Sequence, residues 1–303
     1  MILEGDQSVI DAIKEKKRLM DTGKKHDHIQ PLLIIGGGMM NVVYGLGATL
    51  ALEKLGYRQA FTAVAGISCG APTAAYFIGG NIDAGARVAW EEACSKDFFN
   101  PWRWRSIFDF EFCFDVIAGR TGKPMGIQTV LHSDTQYFVG LSEYETAKPV
   151  VFEPQTEDEV YHATCASLAM PGVSTKPVLV NGKRYADGAS TNPYIRTRLH
   201  TEIPATHVLD VMNQDKDGPR RHWGEEFVNN FILRHRTPAV LRRAANMRRQ
   251  RRYECIESLL KEPQRPTCFV WGDGSVSGLE RDPKKVKATV DRSEEWWTKL
   301  LTT

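Results

Sequence analysis

The chain has 303 residues, enough for one large α/β domain or one domain with an appendage. Apolar residues make up 42% and charged residues 25%, and 39 Lys and Arg nearly balance 37 Asp and Glu. A formal charge of +2 excludes a whole-domain nucleic-acid footprint, so any basic function must be local. Cys69, Cys94, Cys113, Cys165, Cys255 and Cys268 form no CxxC pair and no zinc-type spacing with histidine, which suits small core residues in a reducing compartment. The first thirty residues are charged and lack an apolar signal core, and no run reaches the roughly 18 apolar residues of a membrane span. The expected location is cytoplasmic.

Ser8 to Met20 reads as a charged helix, with Ser8 and Asp11 suited to a capping box. Pro31 to Ile35 is wholly apolar and ends in Gly36-Gly37-Gly38, as a strand buried on both faces does. Tyr44 to Gly56 has helical spacing and closes on glycine. Phe61 to Ala65 is a second apolar run. It meets Gly66-Ile67-Ser68-Cys69-Gly70, and the small-residue helix Ala71 to Ile78 follows. This βαβα opening predicts right-handed crossovers and an α/β sandwich. Further strands are expected at Thr135–Leu141, Pro149–Phe152, Val178–Val180 and His207–Val211, with a loop at Ser167–Gly172 and a hairpin turn at Asn181-Gly182. Beyond Gln214 arginine becomes dense, and a long helix is expected at Val240–Leu260, a late strand at Phe269–Trp271 and a last helix at Ser293–Leu301.

Gly66 to Gly70 fits the G-x-S-x-G nucleophile elbow. A serine on a tight strand-to-helix turn adopts a strained backbone, and the residues two positions away must be small. The helix that follows aims its first amides at the site. The alternative is a structural Gly-Ser turn. Gly36-Gly37-Gly38 fails as a dinucleotide fingerprint, because Asn41 stands at the last glycine position and no acidic residue ends the next strand. It fits an oxyanion hole, where consecutive glycines let backbone amides converge on one oxygen. Asp187-Gly188-Ala189, with its Asp 119 positions after Ser68, is by itself an ordinary turn signal.

Taken in order, Gly36-Gly37-Gly38, Gly66-Ile67-Ser68-Cys69-Gly70 and Asp187-Gly188-Ala189 resemble the three signatures of patatin-like phospholipases. The surroundings of the Asp, from Ala166 to Pro193, are also similar, and the likeness runs from Pro31 to Val211. The resemblance implies a three-layer α/β/α sandwich with a mostly parallel sheet and a helical C-terminal region. It implies Ser68 as nucleophile and Asp187 as general base without histidine. The oxyanion loop would be Gly36, Gly37, Gly38 and Met39, no cofactor or metal is implied, and the substrate would be a fatty-acyl ester lipid. Family members carry Arg or Lys and then Gly where this chain has Met40 and Asn41. Asn41 could keep a positive-φ turn. The missing cation raises the alternative of a catalytically weak relative that binds lipid or a partner protein. A conventional triad would instead recruit His200, His207, His222 or His235.

The expected division is 1–30 as an N-terminal helical extension, 31–213 as the catalytic domain, and 214–303 as an Arg-rich helical region packed on it. Eight aromatics lie between Phe98 and Phe114, and the last four alternate with a strand-like period. They either fill the core or, through Trp102 and Trp104, touch a lipid interface and open an acyl channel. Ten arginines in Arg220–Arg252 suggest contact with anionic headgroups, with nucleic acid the less favoured partner.

Overall fold

The computed structural model of the chain describes all residues except 101, 104–107, 174–175, 192–193, 218–236 and 262, and at 247–253 only the backbone. Its described strands are β1 (Ile2–Gly5), β2 (Pro31–Ile35), β3 (Ala63–Ile67), β4 (Gln136–Glu143), β5 (Pro149–Phe152), β6 (Val178–Val180), β7 (Lys183–Asp187), β8 (His207–Asp215) and β9 (Thr267–Gly272). The helices are α1 (Ser8–Asp21), α2 (Val43–Lys54), α3 (Gly70–Ile78), α4 (Ile82–Glu91), α5 (Phe110–Ile117), α6 (Ile127–Leu131), α7 (Glu157–Leu168), α8 (Tyr194–Glu202), α9 (Ala239–Lys261) and α10 (Pro283–Thr302).

The strands form one mixed sheet in the order β1-β9-β8-β2-β3-β4-β7-β6, with β5 also on β4. Its middle, from β9 to β4, is parallel. Strand alternation divides the core. Leu33 and Ile35 face one layer, which α1, α2, α3, α4, α7 and α10 complete, while Leu32 and Ile34 face a second layer closed by Ile195 and Leu199 of α8. A smaller cluster joins Met212, Phe269 and Trp271 to Ile256 of α9. All five residues of β2 are buried, and each such aliphatic chain contributes up to about 1.5–3 kcal/mol.

Several expectations change. The first helix has Gln7 at its N-cap without a side-chain bond, and Asp6 Oδ1 accepts from the Ser8 amide instead of a capping box forming. Ser167 and Leu168 are the last turn of α7, not a loop. The period-two aromatics are not a strand: Phe110, Phe112 and Phe114 lie on α5, started by Asp109, whose Oδ1 accepts from the Phe112 amide at 3.1 Å. Positive φ falls on Gly38 and Met39 (φ 52°), whereas Asn41 sits in a 3₁₀ turn, Met39–Val42, with ordinary φ. Residues at both ends of the chain enter the same sheet, since β1 pairs antiparallel with β9.

Candidate active site

The elbow at the end of β3 is tight for reasons visible in its neighbours. Ser68 has φ 57°, a left-handed conformation that costs a non-glycine residue about 1–3 kcal/mol. Two bonds hold it there: its amide donates to Ser167 Oγ at 2.8 Å, and its carbonyl accepts from the Ala71 amide at 2.9 Å. Ser167 Oγ donates in turn to the Gly140 carbonyl of β4 at 3.0 Å, so α7 ties the elbow to the sheet. A Cβ on Gly66 would stand 2.5 Å from the Ala71 nitrogen, and one on Gly70 would overlap the Ile35 carbonyl. Both glycines are therefore steric requirements of the turn.

Strand register delivers the carboxylate. Gly140 of β4 pairs with Ile67 at the end of β3, and the next residue, Leu141, pairs with Asp187 at the end of β7. Because β5 lines the other edge of β4 at both positions, β3 and β7 share one edge and meet end to end. Ser68 Oγ donates to Asp187 Oδ2 at 2.9 Å, and both residues are buried. Asp187 Oδ1 accepts from the Ala189 amide at 2.7 Å, which fixes the carboxyl plane. Asp187's own amide bonds the Ala169 carbonyl, and its carbonyl accepts from Ser142 Oγ at 2.9 Å.

The glycine loop leaves β2 beside them. A Cβ on Gly37 would lie 2.6 Å from Ser68 Cβ and 3.3 Å from its Oγ, so only glycine lets the loop approach the hydroxyl. The Gly36 amide is used up on the Val211 carbonyl at 2.8 Å. Among the described residues, the amides of Gly37, Gly38 and Met39 have no such backbone acceptor. Cys69 donates to the Met39 carbonyl at 3.4 Å; burial pushes its thiol up to about 12, with the Asp187 charge adding to that and nearby loop amides opposing it. This neighbour of Ser68 stays a neutral thiol.

Ser68 and Asp187 stand in the wall of an apolar cavity of about 140 Å³. Met40 and Val42 of the 3₁₀ turn, Tyr76 of α3, Val88 of α4 and the aromatic segment, through Phe98, Phe110 and Phe112, supply other walls. Phe98, Phe99, Phe108 and Phe110 pack ring to ring at 5.1–6.4 Å, and the Arg281 guanidinium lies 4.6 Å from the Phe99 centroid. The aromatics thus line the cavity as well as filling space. Trp102 is 91% exposed. Trp104, Arg105 and most of Arg220–Arg252 lie outside the described residues or side chains.

Of the candidate triad histidines, the two among the described residues, His200 and His207, bond elsewhere than to Asp187. His200 Nε2 is 2.8 Å from Asp210 Oδ2, inside a separate buried cluster with Arg196, and His207 bonds Thr206. His222 and His235 fall outside the described residues. No group of three or more His, Cys, Asp or Glu among the described residues could hold a metal ion, and no helix there is long and apolar enough to cross a membrane. Two polar residues escape sequence reading as parts of the site. Ser167 lies inside a small-residue run, and Asn213 follows the apolar pair Val211-Met212 of β8 and precedes Gln214, a signal visible but not diagnostic.

Among solved structures, the chain is similar to VipD from Legionella pneumophila (10% identity, TM-score 0.47, over 90% of this chain and 67% of that one). It is also similar to human GIVD cytosolic phospholipase A2 bound to methyl gamma-linolenyl fluorophosphonate (12%, TM-score 0.48, over 97% and 62%). A third is the type III effector protein ExoU of Pseudomonas aeruginosa (11%, TM-score 0.40, over 90% and 53%). The chain spans between about half and two thirds of the length of these proteins. No curated protein sequence matches it significantly. The model of one sequence family does match, over residues 33–197, more than half of the chain and the stretch from the glycine loop through Asp187. On that match the chain belongs to the patatin-like phospholipase family.

Proposed function

We propose that the protein hydrolyses fatty-acyl esters of lipids through Ser68 and Asp187. The observation that carries this reading is the 2.9 Å bond from Ser68 Oγ to Asp187 Oδ2 in the wall of an apolar cavity. In the reaction, Asp187 takes the hydroxyl proton as Ser68 Oγ attacks the acyl carbonyl. The developing oxyanion faces the amides of Gly37 and Gly38, with Met39 next in line, and Gly36 is the carrier of that loop rather than a donor. A donor of this kind contributes roughly 2.7–4 kcal/mol to the transition state. The alcohol leaves with the proton held by Asp187. Water, deprotonated by the same carboxylate, then releases the fatty acid and frees the serine. The N-terminus of α3 adds favourable potential at the elbow.

The acyl chain would occupy the apolar cavity beside Phe98 and Phe112. Trp102, whose ring is almost wholly in solvent, supports peripheral contact with a lipid surface. A fluorophosphonate probe and a panel of acyl esters with mass-spectrometric product detection test the proposal. Wild type is expected to label and to release fatty acid, and Ser68→Ala and Asp187→Asn to lose both. A well-folded wild type that neither labels nor turns over any ester would favour the alternative of a lipid- or partner-binding relative, to which Met40 at the cation position points.

A further inference from the structure

We propose that Asn213 is a positioning residue for the oxyanion site, aiming the Gly37 amide at the acyl oxygen. This rests on the hydrolase reading above.

Asn213 lies near the end of β8, where the five residues from Val211 to Asp215 lie opposite only three of β9, from Val270 to Gly272. The extra length forms a bulge, and Asn213 takes φ 54° within it. Asparagine tolerates that conformation better than most residues, but nothing about a sheet interior calls for it. The residue is completely buried. Its side chain is spent on two backbone groups, one just past β2 and one on α2. Nδ2 donates to the Gly36 carbonyl at 2.6 Å, and Oδ1 accepts from the Gly45 amide of α2 at 2.7 Å. Its own carbonyl limits the loop further on, standing 3.1 Å from where a Cβ on Gly38 would be.

The consequence follows from the peptide plane. The Gly36 carbonyl and the Gly37 N–H belong to one trans peptide and point in opposite directions. Pinning the carbonyl onto Asn213 turns the Gly37 N–H away from β8. The Gly36 amide, bonded to the Val211 carbonyl of the same strand, and the Arg196 guanidinium, 2.8 Å from the Cβ position of Gly36, limit rotation further. Three consecutive glycines would otherwise sample many orientations, and glycine backbone is the most costly to order. An oxyanion donor works only when it is aimed before the charge develops. Asn213 supplies that aim, and through Gly45 it also fixes the loop to the helix that follows.

The test compares wild type with Asn213→Gly and Asn213→Asp on one acyl ester and its thionoester, in which sulfur replaces the carbonyl oxygen. Glycine accepts φ 54° and removes both side-chain bonds. Aspartate keeps the acceptor for Gly45 and replaces the donor facing Gly36 with an oxygen. Both variants are expected to lose about 100-fold in kcat on the ester with KM within about twofold, as for a disarmed oxyanion donor. Sulfur gains little from the hole, so the ester-to-thionoester rate ratio should fall towards unity in both variants. That ratio is independent of the folded fraction, so lost stability cannot imitate the effect. An unchanged ratio in both variants overturns the assignment while hydrolysis by wild type stands. Wild type inactive on both substrates overturns the assignment together with the hydrolase reading.

Discussion

Asp210 anchors a buried charge cluster outside the proposed Ser68–Asp187 pair. It is fully buried on β8, bonded to Arg196 and His200. Burial by itself would raise its pKa, but the Arg196 charge and then His200 outweigh that and hold it below the ordinary carboxylate value. A carboxyl depressed in the fold contributes stability above its unfolded pKa and loses that contribution as pH falls through the native value. Wild type should therefore melt progressively lower below about pH 4. In Asp210→Asn the acid limb should be shallower, and stability at pH 7 should drop by about 3–5 kcal/mol because Arg196 is left uncompensated. Melting curves against pH decide it: parallel acid limbs in the two proteins would refute this role for Asp210. The Arg196 guanidinium of the same cluster lies beside Gly36, where the proposed oxyanion loop begins.

Among the elements, β4 is the one on which the proposed mechanism depends. Its consecutive residues Gly140 and Leu141 bring together strands that are far apart in sequence, β3 with Ser68 and β7 with Asp187. The junction has no room to spare, since a Cβ on Gly188 would fall on the Gly140 carbonyl. Gly188→Ala should push the end of β7 off β4, leaving soluble protein that has lost fluorophosphonate labelling; full labelling would show that the junction tolerates displacement. Helix α5 carries the opposite lesson. Four aromatics at period two imitate a strand, yet Asp109 caps a helix in which Phe112 and Cys113 line the cavity while Phe114 packs on the main core. Aromatic rings can be buried on several sides of a short helix wedged between a cavity and a core, so their spacing does not report one face.

At the scale of the molecule, the C-terminal helix braces the segment that holds the glycine loop. Helix α10 lies along α2 closely enough that Ser293 sits against Gly47 and donates to the Tyr44 carbonyl at 3.0 Å. Trp297 is fully buried in this seam. Trp297→Ala should cost about 3–5 kcal/mol in urea denaturation. It should also lower hydrolysis, because α2 continues directly from the 3₁₀ turn of the loop. A loss below 1 kcal/mol would mean that α10 is a passive cover. The same packing explains why residues far beyond the family match belong to the sheet and its layers: β9 sits between β8 and β1, and its six residues are buried.

Local chemistry was enough to make much of this legible. Two apolar runs ending in glycine, the small residues around Ser68, and an Asp-Gly-Ala turn are short-range requirements, and a reader of the chain meets them in order. They point to the α/β class and to Ser68, whereas Asp187 as its partner rests on the ordered resemblance to patatin-like phospholipases, since an Asp-Gly-Ala turn alone is ordinary. Tertiary structure alone decided the rest. That Gly36 spends its amide on Val211, that Met39 and not Asn41 takes positive φ, and that Ser167 and Asn213 hold the elbow and the loop all depend on backbone groups brought close by sheet register. Hydrogen bonds to distant backbone leave no periodicity in a sequence, because the acceptor is the same carbonyl at every residue and only the fold chooses which one is near.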